Sequence, residues 1–232
     1  SQSKPCSSCR SYWRHQRIRS LLIPIIKSNL NNKWLTIGDG RYGNDSTYII
    51  NQGIKNIITT DISDVFLKDA LDLKIIKEYS IQNAESLSYD DLSFDYVSCK
   101  ESLHHLPRPY TGLYEMYRVC KKGVIICEPR DHFIDPPIFK FILDILRIIL
   151  RKKVKKHSFE EVKNYVYTFS ETEIEKFFIS IKGKTIAYRG INDAYIPGVE
   201  QIPLKSKNFK HKLINFYLKF RIFRLNFFNF LQ

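Results

Sequence analysis

The chain has 232 residues, 44% of them hydrophobic and 26% charged, which suits a folded domain with its own core and excludes wholesale disorder. No window of about 18 uncharged apolar residues is present, so no transmembrane span is expected, and no apolar secretory signal opens the sequence. Five cysteines are too few, and odd in number, for a disulfide scaffold, so a reduced cytoplasmic protein is expected. Lys and Arg number 37 against 24 Asp and Glu, a formal charge of +13. The excess lies at the ends and in one internal run. Arg10, Arg14, Arg17 and Arg19 come first, residues 151–156 add five cations, and seven Lys/Arg follow Glu200 with no acid among them. Such a periphery predicts a polyanionic partner, an anionic membrane surface or merely a solvated basic face.

Residues 10–28 read as a helix whose end is weakened by Pro24. Lys33–Ile37 is a short strand closed by Gly38, and residues 43–52 are helical. Ile54–Thr60 is a β-branched strand ending at Asp61. A helix over 63–78 is expected to bury Val65, Phe66, Leu71, Ile75 and Ile76. Short strands follow at Tyr79–Gln82 and Phe94–Cys99, then a helix over 109–119 and a strand at Gly123–Cys127. Strands alternating with helices over some hundred residues predict parallel βαβ units. The expected fold is α/β, a Rossmann-like doubly wound, mostly parallel sheet with ligands at the strand C-terminal ends. Around it we place an N-terminal helical extension (1–32) and a C-terminal helical cap or tail (191–232). The sheet domain covers 33–190 and includes a helical insertion at about 136–168. Ser170 and Glu173 have capping-box spacing, and Ile179–Arg189 reads as a strand or hairpin around Gly183.

The segment WLTIGDGRYGND places Gly38, Gly40 and Gly43 as G-x-G-x-x-G between a strand and a helix. Glycines there permit a tight turn and close backbone approach to a phosphate or nucleoside, so the loop alone fits NAD, FAD or S-adenosylmethionine. Asp61, at the end of the second strand, is either a carboxylate for the two ribose hydroxyls or a helix N-cap. The stretch IQNAESLSYDDLSFDYVSCKESLHHLPRPYTGLYEMYRVCKKGVIICEP separates the cofactors. It resembles the class I S-adenosylmethionine-dependent methyltransferases, in particular the small-molecule group with an L-H-H-L motif, and the resemblance spans residues 33–130. It implies S-adenosylmethionine as methyl donor and S-adenosylhomocysteine as product. The donor would lie across Gly38, Asp39, Gly40 and Gly43, with Asp61 and Ile62 at the ribose end. Asn83, Ala84 and Glu85 would follow the adenine, and Cys99, Lys100 and Glu101 would lie beside the methionine part. Thr36 stands where an acid is common in the family and Asn83 where Asp is common. Asp39, Asn44 and Asp45 are candidate replacements for the first of these carboxylates.

His104 and His105 lie just past the fourth strand. One of them is a candidate base for deprotonating a hydroxyl, oriented by Glu101 or Glu128; the alternative is a loop-packing role. Glu128, Arg130 and Asp131, after the fifth strand, are candidate acceptor-binding groups. Asp135-Pro136-Pro137 reads as a helix entry. Cys6 and Cys9 form an isolated C-x-x-C without further ligands nearby in sequence, so no metal is expected. The expected acceptor is a small polar molecule, a sugar or glycan precursor of surface polysaccharide first among them. RNA, and a non-catalytic binding role, are the alternatives. The apolar face of 138–150 and the aromatic-basic tail are read as a peripheral contact with an anionic membrane, or as a lid or dimer seam.

Overall fold

A computed structural model describes residues 9–129, 145, 165–191, 199 and 201–230, with the side chains of the last helix described to Lys219. They fall into two compact units, one spanning Ile26–Ala187 and one drawn from the described parts of 1–25 and 188–232.

The larger unit holds a five-stranded sheet: β1 (Trp34–Ile37), β2 (Ile57–Asp61), β3 (Tyr79–Ile81), β4 (Phe94–Lys100) and β5 (Cys120–Cys127). Every pairing is parallel, in the order β3-β2-β1-β4-β5. The order reverses between β1 and β4, the switch point beside which such sheets bind ligands at their strand C-terminal ends. All four residues of β1 are buried, as befits a strand covered on both faces. Helices α3 (Asn44–Asn51), α4 (Val65–Asp72) and α5 (Pro109–Val119) connect the strands. Pro109 opens α5, where its missing N–H costs nothing, and Gly112, Leu113, Met116 and Val119 turn inward. The main core joins Leu35, Phe94, Val97, Leu113 and Met116 with Phe169.

Three expectations change. The N-terminal segment is α1 (Arg10–Arg19), a 3-10 turn and then α2 (Ile23–Ser28), with Pro24 in the first turn of α2 rather than at a weakened end. Helix α4 ends at Asp72 and Lys74 adopts a left-handed conformation, φ 57°. The buried residues there are Leu67, Ala70 and Ile76, while Val65, Leu71 and Ile75 are exposed. A stripe drawn through residue 78 was therefore phased on a helix that stops six residues earlier. Finally, 179–189 is no strand. Helix α6 (Glu171–Ser180) begins with the expected capping box, runs through Ile179, and turns where the Gly183 N–H donates to the Phe178 carbonyl at 2.9 Å.

In the smaller unit α1 and the long helix α7 (Phe209–Phe230) meet through Arg10 and Asn215. The Arg10 guanidinium donates to Asn215 Oδ1, and Asn215 Nδ2 donates to the Pro203 and Leu204 carbonyls at 3.0 and 3.2 Å. Cys9 is buried and bridges Pro203 through its backbone; Cys6 lies outside the described residues. Among the described residues no helix is long and apolar enough to cross a membrane.

Candidate active site

The C-terminal ends of β1, β2 and β4 carry the predicted donor-binding residues to one edge. Gly38 and Gly43 have φ values of 69° and 59°, a conformation that costs a side-chain-bearing residue about 1–2 kcal/mol. Gly38 also lies against Ser102, whose hydroxyl donates to the Gly38 carbonyl at 2.9 Å; a Cβ at Gly38 would come within 2.4 Å of the Ser102 Cβ. Ser102 thus ties the loop after β4 to the glycine loop. Nothing in its local sequence marks it, because its partner is 64 residues away.

Asp61 occupies the end of β2 as expected, but it is no helix cap, since α4 starts from Asp64. Its Oδ2 accepts from the Gly40 N–H at 2.9 Å and its Oδ1 from the Ser63 N–H at 3.0 Å. Each carboxylate oxygen has two lone-pair directions, so a second acceptor direction remains on each for a vicinal diol. Ile62 beside it is 74% exposed, an apolar surface at the ligand edge suited to a flat heterocycle.

Asp39 is nearly fully buried and acts inward. It accepts from the Ser46 N–H at 2.8 Å, the Asp45 N–H at 3.0 Å and the Thr36 hydroxyl at 3.3 Å, and so caps α3. Burial, and then Asp45, push its carboxyl up to about 7 against the opposing pull of those N–H groups. Its carboxylate therefore supports the glycine loop from beneath rather than serving as an open counter-ion. Because the folded state holds the proton more tightly than the unfolded chain, the contribution of this group to stability is largest at low pH and is lost as pH rises from about 4 through about 7. Asp39→Asn should cancel that slope. Compared at pH 5 and pH 8 by chemical denaturation, the variant should gain on the parent by on the order of 1–3 kcal/mol toward the higher pH. The hydrogen bond that the amide forfeits shifts both values equally. Parallel pH profiles would mean that Asp39 is ionised throughout.

Several candidates turn out otherwise. Cys99 sits in the core and burial holds its thiol well above the usual range, so only its backbone can face a ligand. The Ala84 methyl also packs in the core. Glu85 is buried and accepts from the Arg108 backbone N–H and Nε at 2.6 and 2.7 Å, which leaves Asn83 as the exposed side chain of that trio. Lys100 pairs with Glu101 at 2.9 Å and lies 3.9 Å from Asp45. Glu101, left-handed at φ 51°, pairs with Lys100.

The carboxylate that orients the histidine is Glu128. Its Oε1 accepts from the Ser102 and Leu103 N–H groups at 3.1 and 2.9 Å, and its Oε2 pairs with His104 Nδ1. The side chains of Glu128 and His104 are 5% and 12% exposed. The β4–β5 register, Lys100 opposite Cys127, brings residue 128 to the short 3-10 turn that carries His104. Glu128 is therefore a positioning group for His104, not a free acceptor ligand. His105 is exposed, with its ring 4.0 Å from that of His104. Arg130 and Asp131 lie outside the described residues, as do Asp135 and most of 138–164.

The family described as "Methyltransferase domain" matches residues 35–127. A demethylmenaquinone methyltransferase from Oceanobacillus iheyensis is 32% identical over 111 residues, 42% of this chain and 44% of that protein, so the match spans less than half the relative's length. Among solved structures, YcgJ from Bacillus subtilis is 21% identical with a TM-score of 0.54, over 72% of this chain and 68% of that one. An S-adenosylmethionine-dependent methyltransferase from Methanosarcina mazei is 20% identical with a TM-score of 0.50, over 68% and 82%. At these identities the structural likeness speaks for the fold. The glycine loop, the diol-ready carboxylate of Asp61 and exposed Ile62 fit S-adenosylmethionine, the cofactor of this family. Residues 35–127 thus match the methyltransferase-domain family, on a fold shared with S-adenosylmethionine-dependent methyltransferases.

Proposed function

We propose that the chain transfers a methyl group from S-adenosylmethionine to a hydroxyl of a small polar acceptor, with His104 as general base. The observation that carries this reading is the His104–Glu128 pair at the ligand edge of the sheet. A carboxylate on Nδ1 selects the tautomer in which Nε2 holds the lone pair, and it stabilises the imidazolium formed when Nε2 takes the acceptor's proton. The donor supplies a methyl group on a sulfonium sulfur, which leaves as a neutral thioether. A hydroxyl becomes a competent nucleophile for that carbon as its proton passes to His104. Sugars and glycan precursors are the first acceptor class to test. The relative from Oceanobacillus favours a second reading, a quinol-type acceptor, for which a base acting on a ring hydroxyl is equally suited.

The test is transfer of labelled methyl from S-adenosylmethionine to sugar nucleotides, lipid-linked sugars and a demethylated quinol, with S-adenosylhomocysteine binding measured alongside. Product carrying the methyl on oxygen supports the reading. Methyl on a ring carbon moves it to the quinol, and methyl incorporation into RNA replaces it. Tight S-adenosylhomocysteine binding without turnover on any acceptor would leave a binding protein that retains the fold.

A further inference from the structure

The smaller unit carries a surface that the methyltransfer reading does not use. Helix α7 starts at an asparagine cap: Asn208 Oδ1 accepts from the Lys210 N–H at 2.9 Å and the His211 N–H at 3.3 Å. One side of the helix is anchored, because Asn215 is held by Arg10 and by the carbonyls of 203 and 204, and Leu218 is fully buried. The other side is apolar and open. Phe209, Leu213, Phe216 and Tyr217 follow the i, i+4, i+7, i+8 pattern of a single face, and they are 54–77% exposed. At about 100° per residue, Lys210 falls on one flank of this stripe and Lys212 and Lys219 on the other. Exposed Lys205 and Lys207 precede the helix, and no acidic residue follows Glu200.

We infer that this face of α7 docks on the surface of an anionic lipid bilayer. Its chemistry fits such a surface on both counts. Four apolar side chains on one face, three of them ring-bearing, can enter the acyl boundary. The lysines on both flanks can reach lipid phosphates while their methylene stems remain against the apolar zone. A second copy of the chain fits poorly, since a symmetric seam would oppose lysine rows with no carboxylate between them. A nucleic acid would satisfy the lysines and leave the Leu213 side of the stripe without a role. The helix would lie in the interface and not span it, consistent with the lysines interrupting it.

The experiment is co-sedimentation of the full chain with phosphatidylcholine vesicles and with mixed phosphatidylcholine–phosphatidylglycerol vesicles, at low and high salt. Partitioning onto the anionic vesicles is expected, with little onto the neutral ones, and it should weaken as salt rises. Lys210→Gln, Lys212→Gln and Lys219→Gln together should lower the partition coefficient by on the order of 100-fold. These three side chains are exposed, so the variant keeps its fold, which circular dichroism checks. Leu213→Ser with Phe216→Ser should likewise release the protein. Equal partitioning of the parent and the triple-lysine variant would overturn the inference. So would failure to bind anionic vesicles, whether the stripe then proves to be a dimer seam by light scattering or an RNA-binding face by filter retention.

Discussion

His104→Ala should reduce methyl transfer by about 10²–10⁴-fold and leave S-adenosylhomocysteine affinity unchanged. The separation of the two readouts follows from where the residue sits. His104 is on the turn after β4, tied to Glu128 after β5, whereas the Asp61 carboxylate is at the end of β2 and, among the described residues, accepts from the Gly40 and Ser63 N–H groups. Glu128→Gln should cost nearly as much. The amide can still accept from Ser102 or Leu103, but its NH2 group facing Nδ1 would favour the tautomer with the proton on Nε2, and it cannot stabilise an imidazolium. His105→Ala, on an exposed ring, should cost less. Rates measured with a fixed acceptor and saturating donor decide the matter. Parental turnover in both single variants and in the double variant would eliminate a histidine base, and a loss confined to His105→Ala would transfer the role to its neighbour.

The parts of this site that were legible in the sequence are the parts set by local backbone chemistry. Glycines with positive φ between a strand and a helix, and Ser170 with Glu173 three residues on, express conformations that need no distant partner. What sequence could not resolve was pairing across the sheet. Glu101 and Glu128 were equivalent candidates to orient one of the two histidines until the β4–β5 register placed residue 128 beside the turn that carries His104. Glu85 looked available because its partner, Arg108, is 23 residues further on, beyond a strand and a turn. Cys99 was misplaced for a different reason. In a parallel sheet covered on both faces a strand is buried almost throughout, so Val97, Ser98 and Cys99 are all buried and alternation gives no hint of which side chain reaches the edge.

Asp61→Ala should weaken S-adenosylhomocysteine binding by about 1–3 kcal/mol, roughly 5- to 150-fold, through loss of the hydrogen bonds that the ribose hydroxyls would donate to a charged acceptor. Gly40→Ala should weaken it too, and by the same route. Unlike Gly38 and Gly43, Gly40 does not have a positive φ, so alanine is tolerated by its backbone. Its Cβ, however, would lie 2.5 Å from both Cγ and Oδ2 of Asp61, well inside contact distance. The carboxylate would have to swing away from the position in which the Gly40 N–H now holds it. In the Asp61→Ala background that collision is gone, so Gly40→Ala should add little, and the two changes should be strongly non-additive in a double-mutant cycle. Calorimetric titration of the four proteins with S-adenosylhomocysteine, with NAD as a control ligand, reads this directly. Additive losses would show that Gly40 matters by its own close approach to the ligand. Unchanged affinity in Asp61→Ala would remove Asp61 from the ribose site, and the loop would then be held to its ligand by backbone groups alone.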